Sequence, residues 1–516
     1  MTEAAERRNI ARYQLLLLLA VYLLSASLRI DSGDGETMYR VAHSLVTGEG
    51  VAIPATQGAL VDGRTGYGRV GTGGLYYSKY GLGWSLAAVP FCAAGRMIAP
   101  VLTGATEGFV TRAAVMLLNP LLTAATAVLL LQLACRLYTS TTAATLSLLY
   151  GLGTIAWYYA KSAFSEPIVT LLLLAALCAV ERNSLMTAGV MLGGMILTRQ
   201  TAILMVIPVT TWAVVRGWQH GGLRRLRGFA ALLLPIGLGQ LIAVGYNTYR
   251  FGNPLHFGYG TATWDTPFLQ GVYNQLLSPG KGLFVFMPVL LLSLVGWPAL
   301  LDKRRDWAWL VLLAGAVYLV PHALYGHWSG GGGWGPRLLL PIVPLLLLPA
   351  GEVIERWETR RAGRVVLVLL IALSLFIQVL GVSVNWARHL QRVRRRSSTR
   401  KEYFQRVHHR WRDSPIPGQV RSLREALGFL HAPERGKRLE SLVSREVKKP
   451  LRDWQSEAVG LLSFNVPDFW FVYLWFLGVS PRWLISVALL LSGTAVGAAL
   501  QLRQALDKRG HQTTID

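Results

Sequence analysis

Apolar runs recur along the chain at 14–30, 112–134, 141–159, 167–181, 185–198, 201–215, 229–246, 283–301, 307–322, 337–350, 364–384 and 483–502, divided by short polar breaks. Their lengths approach the roughly 20 residues that a helix needs to cross a bilayer. The pattern predicts an all-α polytopic membrane protein, a bundle of about 12 transmembrane helices with both ends inside. One further apolar piece, 82–99, is broken by Pro90 and Arg96, and counting it as a span would reverse every later loop. Charge separates the two topologies, because short loops rich in Lys and Arg stay cytoplasmic. With 82–99 laid on the membrane surface, the basic loops "RGWQHGGLRRLRG", "DKRRD" and "ERWETRRAGR" all fall inside, and the short outer loops hold only Lys161, Arg199, Arg250, Lys281 and Arg337. Arg7, Arg8 and Arg12 precede the first run, which reads as a retained helix although "SAS" at 25–27 resembles a cleavage site.

Composition agrees: 52% of the 516 residues are hydrophobic and 15% charged. The three cysteines lie in apolar segments without ligand-like spacing, which points to packing and away from disulfides or zinc. The expected organisation is a catalytic core at 1–384, in which 31–111 is a long first outer loop carrying surface helices. A basic extracytoplasmic segment follows at 385–467, then a surface segment, the last transmembrane helix and a cytoplasmic tail at 468–516. The basic segment holds 19 Lys and Arg against 8 Asp and Glu, so it supplies +11 of the formal +24. It reads either as a solvated layer against anionic headgroups or as a surface for a polyanionic substrate or a partner subunit. Nucleic acid is excluded, since no aromatic-basic recognition module accompanies the charge. No fixed-period repeat and no inverted pair of broken spans, as in a secondary transporter, is visible.

Ionisable residues in or beside the membrane are costly, and each is therefore a functional candidate. The outer side collects Asp31, Asp34 and Glu36 in "IDSGDGETMYR", Lys79 in "YYSKYGLGW", Lys161 and Glu166 in "YYAKSAFSEP", Arg199 in "LTRQ", Lys281 in "SPGKGLF", and His327 and Arg337 in "HWSGGGGWGPR". Transfer of a sugar from a lipid phosphate needs a base for the acceptor hydroxyl and cations for the departing phosphate, and this set contains both. Asp34, flanked by Gly33 and Gly35, is the candidate base, with Glu36 as rival or partner; Asp31 reads equally as an N-cap, and Glu36 as a favourable charge in a helix's first turn. Tyr77 and Trp334 belong either to a sugar site or to an interfacial aromatic belt. Arg337 is a phosphate ligand or a snorkelling anchor. The run at 330–333 lets backbone approach a ligand or is only a turn. No Walker loop, zinc-protease motif or dinucleotide fingerprint is present.

The stretches "SGDGETMYRVAHSLVTGEG", "YYSKYGLGWSLAAVP", "FSEP", "LTRQ", "LLSPGKGLFVFMP" and "WGPRLLLPIVP" together resemble the GT-C membrane glycosyltransferases, specifically bacterial phospholipid-carrier-dependent members related to protein O-mannosyltransferases and aminoarabinose transferases. The resemblance spans roughly 15–351. It implies a catalytic acid after the first helix, which falls on Asp34. Glu36 stands beside it where many relatives have a directly adjacent Asp-Glu pair, and the inserted Gly35 leaves open which acid is the base. It places Lys79 near the lipid phosphate and Glu166 at the outer end of the third span. The implied activity is inverting transfer of one sugar from a polyprenyl-phosphate donor to a protein, lipid or glycan acceptor. The reaction faces outward at the bacterial cytoplasmic (inner) membrane, within the cell envelope. Lys79, Arg199 and Arg337 would bind the leaving phosphate, with Tyr77, Glu166, Lys281, His327 and Trp334 as further substrate-binding candidates. No metal is obligatory, although a divalent ion is compatible with two nearby acids. The competing readings are a flippase for a lipid-linked sugar and a glycan ligase or polymerase using a polyprenyl-diphosphate donor.

Overall fold

The computed structural model describes residues 3–54, 68–218, 224–258, 263–357, 360–430, 435–446 and 453–512. Parts of two basic loops, at 219–223 and 358–359, of the first outer loop, at 55–67, and of the basic segment, at 431–434 and 447–452, lie outside the described residues. The chain is built almost wholly from helices. The first half carries α1 (Glu3–Leu24), α2 (Gly33–Thr47), α3 (Gly83–Ile98), α4 (Glu107–Val115), α5 (Leu118–Ala134), α6 (Ser140–Gly153), α7 (Ala156–Ala160), α8 (Glu166–Glu181), α9 (Leu185–Thr198), α10 (Ile203–Trp218) and α11 (Arg224–Phe251). The second half continues with α12 (Phe268–Leu276), α13 (Leu283–Phe286), α14 (Leu291–Lys303), α15 (Arg305–Leu324), α16 (Val343–Leu347), α17 (Ala350–Trp357) and α18 (Arg361–Ser383). The basic segment folds as α19 (Trp386–Arg395), α20 (Arg400–His409), α21 (Pro415–Leu430), α22 (Arg435–Glu446) and α23 (Trp454–Leu462), before α24 (Trp470–Phe476) and α25 (Pro481–Gln512). Between α2 and α3, the short strands β1 (Ala52–Ile53), β2 (Arg69–Val70) and β3 (Tyr76–Tyr77) form an antiparallel sheet in the order β1-β3-β2.

Each of the twelve runs read from the sequence overlaps a helix. Among the described residues six helices are long and apolar enough to cross a membrane: Gly83–Val101, Glu107–Ala134, Gly228–Phe251, Arg305–Leu324, Arg361–Ser383 and Pro481–Lys508. The pair Arg337–Leu347 and Ala350–Trp357, bent by 47°, makes a seventh if taken as one span. The 82–99 stretch, read from the sequence as lying on the surface, is one of the six. Exposed Val365, Val368, Leu369 and Phe376 on α18, and Leu489, Leu490 and Val496 on α25, give these helices the apolar outer faces that lipid requires.

Close helix contact inside the bundle comes from small residues. Gly189 and Gly193, one turn apart on α9, meet α11 at Leu232, Pro235 and Gly239, and a Cβ on Gly239 would stand 2.6 Å from the Gly193 Cα. Small residues four apart let helix backbones approach in a setting where burial of apolar surface gives no net drive. The first and last long helices, α1 and α25, pack together.

The basic segment is docked on the bundle. Gln419 donates to the Val384 carbonyl at the end of α18 at 2.9 Å, and within the segment Asn385 donates to Ser463 Oγ at 2.8 Å. At its end, buried Asp468 gathers two cations from distant parts of the chain, Arg29 Nε at 3.1 Å and Lys161 Nζ at 3.1 Å, and accepts from the nearby Tyr473 hydroxyl. Lys161 also donates to the Val382 and Asp468 carbonyls, each at 2.7 Å. Removing one partner of a buried pair leaves an uncompensated charge, which costs about 3–5 kcal/mol. Asp468→Ala, which strands both Arg29 and Lys161, should therefore lower the apparent Tm of the detergent-purified protein by at least about 5 °C. An unchanged melt by fluorescence-detected size exclusion would contradict a structural role for this cluster.

Candidate functional site

The first turn of α2 begins the site. Ser32 caps the helix, its hydroxyl accepting the Gly35 amide at 3.0 Å, and Asp34 and Glu36 follow where the helix dipole favours negative charge. Residues two apart on a helix point about 200° apart, so the two carboxylates leave on opposite sides. Glu36 turns towards α4, where Arg112 holds it in a fork, Nε at 3.0 Å and Nη2 at 2.7 Å, and Arg40 adds a contact at 3.0 Å. Asp34 turns towards the start of the bent pair, where Arg337 Nη1 donates to its Oδ2 at 3.0 Å; Lys79 Nζ stands 3.6 Å from Oδ1. The Asp34 side chain keeps 26% of its surface exposed and that of Glu36 only 8%, so Asp34 is the accessible acid of the two.

From Asp34 the charges run on as a chain. Arg337 Nε lies 3.4 Å from Glu166 Oε1, and Arg199 Nη1 contacts the same oxygen at 2.7 Å. Arg337 also donates to the Gly330 carbonyl at 2.6 Å and lies over the Phe164 ring at 4.3 Å. Lys281 donates to the Gly333 carbonyl at 2.8 Å. The 330–335 glycine loop, with positive φ at Gly330, Gly331, Gly333 and Gly335, thus turns carbonyls towards two cations. Four basic side chains (Lys79, Arg199, Arg337, Lys281) meet two carboxylates (Asp34, Glu166) here, so basic groups outnumber acidic ones by two.

Burial pushes the Asp34 carboxyl up, but Arg337 and then Lys79 outweigh it and hold the group well below the usual carboxylate range. Burial moves the Lys79 ammonium down, against the pull of Asp34. For Lys281, burial and then repulsion from Arg337 push the ammonium down to about 7.

The other candidates lie elsewhere. Tyr77 sits in β3, buried, its ring against Tyr249 and Phe251. Trp334 is fully buried, edge-on to Phe286, with its indole N–H donating to Gln378 at 3.3 Å. His327 is exposed beside Tyr325. Asp31 accepts from Tyr158 at 3.0 Å and Ser162 at 3.2 Å, behind the cluster. Among the described residues no group of three or more His, Cys, Asp or Glu is placed to hold a metal ion.

Sequence reasoning passed over Arg250. Its guanidinium donates to the carbonyls of Ser78 and of Tyr80, the latter at 2.9 Å, and so grips the backbone on both sides of Lys79. It stacks over Tyr246 at 3.8 Å and Phe251 at 4.8 Å. The only signal available was an arginine closing an apolar helix just before "FGNP". A small cavity of about 30 Å³ lies between Lys79, Arg199, Gln200, Asn247 and Arg250, with apolar side chains such as Leu82, Ile196 and Phe257 completing its walls. A larger apolar one, about 150 Å³, is lined by Leu283, Phe284, Trp297, Leu319, Leu339 and Ile342, two of which follow Arg337 closely in sequence.

Gly35 is what lets α2 sit this close. A Cβ there would stand 2.5 Å from the Ala163 carbonyl oxygen and 2.6 Å from the Ala163 Cβ, so α2 rests directly on the turn before α8. Any larger residue must push the helix off that turn and move Asp34 from Arg337. Gly35→Ala should therefore cost at least tenfold in whatever activity the site supports and lower the melting temperature, read by a thermal shift alongside turnover. Wild-type values for both would show that the contact is not needed.

No family model matches the chain, and no curated protein does. Among solved structures it is similar to ArnT from Cupriavidus metallidurans bound to undecaprenyl phosphate, at 15% identity over 94% of this chain and 77% of that one, with a TM-score of 0.44. It is similar also to the apo state of that protein, at 14% identity over 93% and 76% of the two chains, with a TM-score of 0.43.

Proposed function

We propose that the protein is an inverting glycosyltransferase that moves one sugar from a polyprenyl-phosphate donor to an acceptor on the outer face of a bacterial cytoplasmic membrane. The observation that carries the reading is the partly accessible Asp34 carboxylate between Lys79 and Arg337, inside a cluster in which basic groups outnumber carboxylates. In the full reading the chain crosses the membrane twelve times, with the first outer loop and the basic segment on the side of the site.

The chemistry asks little more. The Asp34 carboxylate takes the proton of the acceptor hydroxyl as that oxygen bonds to the anomeric carbon. The bond from that carbon to the phosphate oxygen breaks on the opposite face, and its electron pair stays with the phosphate. A phosphodiester monoanion thereby becomes a more highly charged phosphomonoester. Cations fixed around it stabilise the transition state more than the ground state, which is the condition for acceleration. Lys79, Arg199, Arg337 and Lys281 are suited to that role. In the resting arrangement the two cations that hold Asp34 also weaken it as a base. A donor phosphate that draws on Lys79 and Arg337 relieves this and raises the basicity of Asp34 when a base is needed. The apolar cavity beside the Arg337 segment suits the first part of a prenyl chain. The reading involves no obligatory metal.

Full-length protein incubated with a panel of polyprenyl-phosphate sugars, with and without chelator, should release polyprenyl phosphate in both conditions. Asp34→Asn should lower kcat by about 100-fold or more without weakening donor binding, as loss of a general base that also competes for the phosphate's cations does. A variant that still moves the lipid across the bilayer, with no release from any donor by wild type, would replace the enzyme with a flippase.

A pH dependence follows from Lys281. Its ammonium is charged below about 7 and loses the charge as pH rises through that value. The donor KM should therefore rise several-fold between pH 6 and 8.5, and Lys281→Met should show a high KM that no longer varies with pH. Because Asp34 is held below the ordinary carboxylate range, kcat/KM should show no acid loss from this group down to about pH 5. A donor KM that is flat in wild type removes Lys281 from phosphate binding.

A further inference from the structure

The basic segment meets the bundle at one face whose exposed side chains are mixed in an unusual way. Helix α12 presses its small and polar side inwards: a Cβ on Gly271 would overlap the Ala323 carbonyl of α15, and Gln275 donates to the Trp328 carbonyl at 3.0 Å. Its outer side is apolar, with Leu269 80% exposed, Leu277 55% exposed, and Phe268 and Tyr273 open between them. Helix α12 packs against the C-terminal end of α15, whose own exposed apolar side chains are Val320, Leu312 and Trp309. On its other flank it meets α20. The His409 ring stacks on Tyr273, 6.2 Å between centroids and 13° between planes, and Arg410, Trp411 and Arg412 follow, all exposed. Neither arginine has an ion pair among the described residues.

We propose that the junction of α12 and α20 is a docking face for anionic phospholipid headgroups. Exposed leucine, tyrosine and tryptophan side chains bordered by arginines are what an interfacial helix presents to a bilayer, with apolar groups at the acyl boundary and cations among the phosphates. A soluble polyanion would account for Arg410 and Arg412 but gives no reason to leave Leu269 and Leu277 uncovered. Packing of α12 on the end of α15, one of the helices long enough to span, argues for a face at the bilayer edge. The face also borders the candidate site, since the Gly280 amide donates to the His408 carbonyl at 3.2 Å, directly before Lys281. Each basic residue near an anionic surface contributes on the order of 1 kcal/mol, so two arginines give a preference of roughly 30-fold for charged over neutral lipid.

The test uses full-length protein in nanodiscs, with Leu269→Cys carrying a fluorophore and Cys135→Ser removing the half-buried native thiol. Brominated phosphatidylglycerol should quench the label at least twofold more than brominated phosphatidylcholine at equal mole fraction. Arg410→Gln with Arg412→Gln should abolish the difference while the protein stays monodisperse on size exclusion. Equal quenching by the two lipids in the parent protein, or none by either, overturns the proposal. A label insensitive to both lipids that responds to dextran sulfate in detergent overturns it in favour of a soluble polyanion.

Discussion

Arg337 carries a charge it cannot shed, and the chain buries it at the head of an apolar helix pair, so the surrounding structure must supply acceptors. It supplies four: Asp34 from α2, Glu166 from α8, the Gly330 carbonyl and the Phe164 ring face. These come from separate parts of the sequence, and α2, the α7–α8 turn and the glycine loop are held in register by one guanidinium. Glu166 is shared in turn with Arg199, so the arrangement responds as a unit when any member changes.

The first turn of α2 uses its two acids for different ends. Glu36, locked by Arg112, ties the helix to α4, and through Arg112 to Asp453 at 3.4 Å, so it fastens α2 from behind. That fastening is what leaves Asp34 free to face the cluster with an accessible carboxylate. Gly35 between them serves both, because it separates the acids by half a helical turn and removes the Cβ that would collide with Ala163.

The sequence made the charged cluster legible because ionisable groups beside apolar runs are scarce and each needs a reason: Asp34, Lys79, Glu166, Arg199 and Arg337 do converge. The aromatics were less legible. Alternation along β3 sends Tyr77 inwards to Tyr249 and Phe251, and a two-residue strand is too short to show that alternation. Trp334 is buried by Gln378 and Gly381, more than 40 positions away, which no local pattern reveals. Arg250, counted as an outer-loop charge, was not singled out for the site for another reason: its partners on either side of Lys79 are backbone carbonyls, which every residue has. Membrane crossing was only partly legible, since several helices, such as α6 and α9 at 14 residues each, are shorter than a bilayer is thick and take their place from packing.

The same geometry bears on the order of events in the proposed reaction. While Lys79 and Arg337 both hold Asp34, its carboxylate is too weakly basic to draw a proton from a hydroxyl efficiently, and an acceptor arriving first would meet an idle base. A donor phosphate has more charge to offer the same cations and loosens their hold on Asp34 as it binds. Lys281, which among the described residues pairs with a carbonyl and with no carboxylate, is the cation with the most to gain from that arrival. Binding the donor first therefore creates the base, and the excess of positive charge that makes the empty site costly is what favours the donor's entry.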